Sequence, residues 1–331
     1  MPLTKRPPVV VPPPDPQTRF RYRLSIWIAK SFSWFFWLLP PVLRRMMSDS
    51  VAAAFYRFSP SYRGNVQSNL RQVLGPDASD AQIHIAARSV FRTSARNFVD
   101  LMLVPRRSRA HLMADVQLRE DERADLDSLI ATGNGVVIVT AHLGAFDYIG
   151  QGLHSLGYRL TIVTGKTVAR FVYDGVVFLR SVKGAAMVEP TPSGVRQALK
   201  ALRRGECVAF VADRDYLQNG TEITFFGRKT TLPPGAIRIA RDTGAPIQPV
   251  FTRRVSGGHE MRLFPSFSVP RTKNQEADVA VGLQKLVEVL ESAIGSAPEQ
   301  WVMFQRVWRD EPVDPVRAFP VGSPFAPESS A

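Results

Sequence analysis

The chain has 331 residues, with 42 Lys and Arg against 29 Asp and Glu, a formal net charge of +13 and a sequence pI of about 10.3. Its 45% hydrophobic and 21% charged residues are those of a folded domain, which excludes wholesale disorder, and a mean hydropathy of −0.07 excludes a polytopic transporter. The single cysteine, Cys207, excludes a disulfide scaffold and a cysteine-rich zinc site.

The charge is concentrated at the start. Residues 1–50 hold eight basic side chains (Lys5, Arg6, Arg19, Arg21, Arg23, Lys30, Arg44, Arg45) against Asp15 and Asp49. Such a cluster seeks a polyanion, either nucleic acid or an anionic bilayer. Residues 7–16, PPVVVPPPDP, predict an extended lead-in. The run LSIWIAKSFSWFFWLLPPVL (24–43) carries one charge, Lys30, and six large aromatic side chains. Trp27, Trp34 and Trp37, flanked by arginines, suit a membrane interface better than a hydrocarbon centre. The expectation is a membrane-bound helix lying in the interface or shallowly inserted; the alternative is an apolar helix packed on the protein's own core. A nucleic-acid surface fits poorly, because this run is too continuously apolar for exposed base stacking.

Residues 51–131 read as helices, with apolar positions at three- and four-residue spacing over 52–74 and 81–103, separated by GPDASD (75–80). After Gly133 the pattern changes. GVVIVTA (135–141), LTIVT (160–164), CVAFVA (207–212) and PIQPVF (246–251) are short apolar runs rich in β-branched residues, separated by helical stretches near 145–156, 168–182, 193–204 and 234–243. That alternation predicts an α/β layer with a largely parallel sheet. QEADVAVGLQKLVEVLESAI (275–294) predicts a late amphipathic helix, and the end from Glu311 is Pro-rich.

Several motifs fail on inspection. Gly165-Lys166-Thr167 follows a strand, but a phosphate-cradling loop needs glycine at position 160, which is Leu. Gly133 and Gly135 precede their strand, so no dinucleotide fingerprint forms. There is no G-x-S-x-G elbow, and the five histidines have no zinc spacing. What survives is VIVTAHLGAFDYIG (137–150). His142 falls at the carboxyl end of a predicted buried strand, where open α/β sheets place their ligands. If a helix begins near Gly144, its first turn can bring the Asp147 carboxylate beside the imidazole, to accept from Nδ1–H and leave Nε2 as a base; the alternative is a helix-capping Asp beside an unrelated His. Gly144 permits close backbone approach, and helix N–H groups suit an oxyanion.

The ordered blocks NVQSNLRQVLG (65–75), HLGAFD (142–147), VADRDY (211–216), TFFGRKTTLPPGAIRIARDTGAPIQPVF (224–251) and APEQWVMFQRVW (297–308) resemble the bacterial late lipid A acyltransferases and the phosphatidylinositol mannoside acyltransferases, relatives of the glycerolipid acyltransferases. The resemblance covers roughly residues 20–310. It implies a glycerolipid-acyltransferase-like α/β fold, a mixed, largely parallel sheet flanked by helices with an N-terminal membrane-binding helical region. It divides the chain into a Pro-rich lead-in (1–18), a membrane-associated helix (19–50), an acyltransferase domain (51–310, helical over 51–131 and α/β over 132–310) and a Pro-rich tail (311–331).

It further implies transfer of a fatty acyl chain from an acyl-CoA or acyl carrier protein thioester to a glycolipid hydroxyl. His142 is then the general base and Asp147 its orienting partner, with direct attack and no acyl-enzyme. No cofactor and no metal is implied. Arg180, in LRSVKG, matches an Arg-rich segment of the family, with Arg170 and Lys166 as further candidates for an anionic substrate; Asp213 and Arg214 match the block that completes the pocket, with Asp215 as their neighbour. The place of work implied is the bacterial cytoplasmic membrane, with the catalytic domain facing the cytoplasm; the partners are an anionic membrane surface and a lipid acceptor, not nucleic acid. Phe304-Gln305-Arg306-Val307-Trp308 departs from the His-Arg-Arg ending common in lipid A enzymes and leans toward the mannoside branch. A catalytically inactive lipid-binding protein of the same fold is the rival reading.

Overall fold

The computed structural model describes residues 16–165 and 170–308. The Pro-rich segments up to residue 15 and from 311, and Lys166, lie outside the described residues.

Four helices open the chain: α1 (Pro16–Leu38), α2 (Pro41–Phe58), α3 (Pro60–Leu74) and α4 (Asp80–Leu103). Proline sets three of these starts, since it tolerates the first helical turn and no later one. Pro40 and Pro41 therefore split the apolar run expected as one helix into α1 and the first turn of α2, and α1 begins within the stretch expected to be extended. Ser79 starts α4 with a reciprocal capping box to Gln82.

Then follow α5 (Arg109–Asp115), β1 (Val116–Leu118), α6 (Glu120–Ala131), β2 (Val136–Thr140), α7 (Phe146–Leu156), β3 (Leu160–Val163), α8 (Arg170–Ser181), β4 (Ala186–Val188), α9 (Pro192–Leu202) and β5 (Cys207–Val211). The chain continues through β6 (Thr221–Phe225), β7 (Arg228–Leu232), α10 (Gly235–Thr243), β8 (Ile247–Val255), β9 (Gly258–Leu263) and α11 (Gln275–Gly295). β1, within the stretch expected to be helical, and β4 have three residues each, too few to show a period. The β6–β7 hairpin turns on Phe226 (φ 48°) and Gly227 (φ 73°), both left-handed, as a two-residue hairpin loop requires.

Seven strands form one sheet in the order β1-β9-β8-β2-β5-β3-β4. All neighbours are parallel except β8 and β9, so the sheet is mixed and largely parallel. Both faces are covered. Along β2, Val137 and Val139 pack with the α9, α10 and α11 side, among them Ala201, Ile237 and Leu286. Val136 and Ile138 point the other way, to Leu112, Leu126 and Leu153. This alternation in a strand buried on both sides explains its continuous apolar sequence. Each such side chain stabilises the fold by about 1.5–3 kcal/mol.

Helix α1 docks on α8 through its small residues. Ser25, Ala29 and Ser33, spaced by four, are buried, and Ser25 Oγ donates to the Phe171 carbonyl at 2.5 Å. Its large side chains face out: Phe20 and Trp27 are about two-thirds exposed, and Trp34, Phe35 and Trp37 about half. Among the described residues no helix is long and apolar enough to cross a membrane.

Candidate active site

The His142 loop leaves β2 and is pinned on every side. The His142 carbonyl accepts from Val302 N–H at 2.7 Å, Gly144 N–H donates to the Gln300 carbonyl at 3.0 Å, and the Gly144 carbonyl accepts from Asn97 Nδ2 at 2.6 Å. Gly144 has φ +55°, and a Cβ there would lie 2.3 Å from the Thr252 carbonyl oxygen. Only glycine fits that turn.

The register of β2 against β5 determines what His142 meets. Thr140 pairs with Val211, so two residues further along each strand His142 faces Asp213. His142 Nδ1 lies 2.8 Å from Asp213 Oδ1, and Asp213 Oδ2 accepts both the His142 backbone N–H at 2.8 Å and the Trp301 indole N–H at 2.8 Å. Asp213 is fully buried. Burial pushes its carboxyl up, but the neighbouring His142 and the hydrogen bonds from His142 and Trp301 outweigh that, holding it below the usual carboxylate value. An ionised carboxylate only accepts, so Nδ1 carries the proton and Nε2 is the basic nitrogen.

The carboxylate on Nδ1 is therefore Asp213, not Asp147 as the H-x4-D spacing suggested. Asp147 stands on the first turn of α7 beyond the Gly144 bend, and its Oδ1 is 2.6 Å from Arg180 Nε on α8. Arg180 lies over the Phe146 ring, which is edge-on to the His142 imidazole at 5.0 Å.

His142, Asp147, Arg180 and Arg214 line one cavity of about 150 Å³, with apolar walls from Gly150, Ile162 and Phe210. Arg214 forms no ion pair within 4.0 Å among the described residues; its Nε is buried without a hydrogen bond, and its guanidinium sits 5.7 Å from the Tyr216 ring centre. Burial pushes its pKa down, partly offset by Asp213. Arg170 does not line this cavity; it pairs with Asp174 one turn along α8 at 3.1 Å. Asp215 turns away as well, accepting from Gly220 N–H and Thr231 Oγ. Burial and then Glu206 raise the Cys207 thiol to about 12, so it supplies no thiolate.

Two site residues had no signature of their own. Trp301 comes from the far end of the chain and Asn97 from α4, and neither has a spacing relation to His142. The blocks around 65–75 and 297–308 nevertheless explain each other. Asn69 donates to the Met303 and Gln305 carbonyls at 3.2 and 2.7 Å and accepts from Val307 N–H at 3.0 Å, while Asn65 donates to the Phe304 carbonyl. These bonds hold the segment that delivers Trp301 to Asp213.

A His–Asp pair thus sits at the carboxyl edge of a largely parallel sheet, beside a small cavity lined by two arginines. The chain belongs to the bacterial lipid A biosynthesis acyltransferase family, whose sequence pattern matches residues 13–310, and it is an acyltransferase. It is 24% identical over 288 residues to a phosphatidylinositol mannoside acyltransferase of Mycolicibacterium smegmatis, spanning 85% of this chain and 92% of that protein. It is 26% identical over 303 residues to a phosphatidylinositol mannoside acyltransferase of Mycobacterium tuberculosis, spanning 89% and 92%.

Proposed function

We propose that the protein transfers a fatty acyl chain from an acyl-CoA or acyl carrier protein thioester to a glycolipid hydroxyl, at the cytoplasmic face of a bacterial membrane. The observation that carries the mechanism is the His142 Nδ1–Asp213 contact, which leaves Nε2 for substrate. Nε2 takes the acceptor hydroxyl's proton as its oxygen bonds to the thioester carbonyl carbon. The C–S bond then breaks, and the leaving sulfur takes the proton from the imidazolium. Asp213 stabilises the imidazolium in between. No acyl-enzyme is needed, in keeping with the inert Cys207.

Arg214 and Arg180 supply positive charge at the cavity, for the developing oxyanion or an anionic substrate group. Asp147 positions Arg180. The cavity's 150 Å³ takes the reacting end of the donor rather than a whole acyl chain. The two mannoside acyltransferases favour a phosphatidylinositol mannoside acceptor over a lipid A precursor. The outward-facing aromatic side chains of α1 support work at a membrane surface, because a helix that buries serines and exposes tryptophans reverses the soluble pattern.

The test incubates detergent-solubilised protein and its His142→Ala variant with labelled palmitoyl-CoA, or the acyl carrier protein equivalent, and bacterial glycolipid. Label entering a lipid band only with the intact protein supports the reading, and mass spectrometry of the band names the acceptor. Equal labelling by both proteins removes His142 as the base. No turnover with either donor favours a lipid-binding protein that has lost catalysis.

A further inference from the structure

A second, larger cavity of about 780 Å³ lies between α2, α4 and the turn joining β8 to β9. It shares no lining residue with the His142 cavity. Six arginines line it: Arg44 and Arg45 from α2, Arg92 and Arg96 from α4, Arg107 just beyond α4, and Arg254 from β8. Four have acidic partners. Arg96 and Arg92 face Asp49, Arg107 pairs with Asp115, and Arg254 with Asp100. Arg44 and Arg45 have no ion pair among the described residues, and the Arg44 Nε is buried without a hydrogen bond. Burial and then the nearby Arg107 lower the Arg44 pKa, partly offset by Asp100. Arginine remains charged even so, which leaves a partly buried guanidinium with an unpaired Nε–H that an anion would satisfy.

We propose that this groove binds the phosphate-bearing headgroup of an anionic membrane lipid, at a site separate from acyl transfer. Guanidinium groups grip phosphate in bidentate fashion. Among the described residues no Phe, Tyr or Trp lines the groove, and the one imidazole that does, His259, is buried, so a nucleotide finds no stacking platform. The same first turns of α2 expose Val42, Leu43, Met46 and Met47 beside Arg44 and Arg45. That flank is apolar where a lipid's acyl chains would lie. The groove also touches the catalytic loop from behind: Gln300 lines it and accepts from Gly144 N–H. The inference rests on the reading that the protein works at a membrane.

The test is flotation of the intact protein with phosphatidylcholine vesicles and with vesicles that also contain phosphatidylglycerol. The Arg44→Gln/Arg45→Gln variant is compared with Lys200→Gln/Arg203→Gln, which removes the same charge from exposed positions on and beside α9. The expected result is that phosphatidylglycerol raises vesicle partition, that the groove variant loses about tenfold of it, and that the α9 variant keeps it. Partition onto pure phosphatidylcholine should not change. If the double variant is unfolded by circular dichroism, Arg45→Gln alone, at an exposed side chain, should lose about threefold. Equal losses in both charge variants would mean diffuse surface charge and overturn the site. So would phosphatidylglycerol-independent binding, or displacement of that binding by free CoA, which would assign the groove to the donor's phosphates. Groove-dependent binding to the anionic vesicles alone would uphold the site while removing the α1 face as a membrane contact.

Discussion

Trp301 and Asp213, 88 residues apart in sequence, meet in a hydrogen bond of 2.8 Å from the indole N–H to Oδ2, with both side chains buried. The indole fixes the carboxylate, and the carboxylate fixes the His142 imidazole. Trp301→Phe removes the donor and puts a smaller ring in a fully buried site, leaving a cavity. The lost hydrogen bond to the carboxylate should destabilise the fold by about 1.5–3 kcal/mol and the cavity should add to that, read by chemical denaturation, and kcat should fall more than KM.

Asp213→Asn should be the most damaging isosteric change. The amide oxygen is needed at the Oδ2 position, where two N–H groups point. The amide NH₂ then faces Nδ1, forces the proton onto Nε2 and removes the base. A loss in kcat of about 10²–10⁴-fold is expected, with protein that still folds. Activity near the native value would place the orienting role elsewhere.

Asp147→Asn should behave differently. It weakens the hold on Arg180 without touching the imidazole, so the loss should fall mainly on KM for the anionic substrate. Steady-state kinetics of the two Asn variants side by side check this. A larger kcat loss in Asp147→Asn than in Asp213→Asn would restore the H-x4-D pair as the catalytic one.

His259 predicts the acid limb of stability. Burial, with Arg254 and Arg107, lowers its imidazole from 6.5 to about 4, against the opposing pull of Asp100 and Asp115. Between those values the unfolded chain binds a proton that the folded protein does not. Stability therefore falls as pH drops through 6.5, and the loss is complete below about 4, near 3 kcal/mol in all. His259→Gln should flatten this part of a denaturation-midpoint profile.

Gly144→Ala should abolish the site by backbone strain and collision. A left-handed φ costs about 1–3 kcal/mol for a residue with a Cβ, and the Thr252 carbonyl occupies the methyl's place. Loss of activity together with a lower denaturation midpoint is expected; unchanged kinetics would show that the loop relaxes.

On α1, Trp27→Ser with Trp37→Ser should weaken association with phosphatidylcholine vesicles while changing stability by no more than about 0.5 kcal/mol per site, since both rings are exposed. Flotation and denaturation curves measured on the same protein separate the two effects.

The sequence by itself determined the layered α/β plan, because a strand buried on both faces must be apolar throughout. Four of the sheet's seven strands, β2, β3, β5 and β8, were legible for that reason. The ordered blocks identified the family, and the apolar run before His142 placed that residue at a strand end. The tertiary structure decided the partner. H-x4-D spacing measures distance along the chain, yet Gly144 bends the backbone between the two residues and carries Asp147 to Arg180. Asp213 reaches His142 through a parallel register, Thr140 against Val211, and register is a relation between strands that no local pattern encodes. The same holds for Trp301 and for the arginine groove, whose six side chains come from two helices, the turn beyond α4 and a strand. Buried donors, acceptors and charges must find partners wherever the fold brings them, and only the packed chain specifies which ones they find.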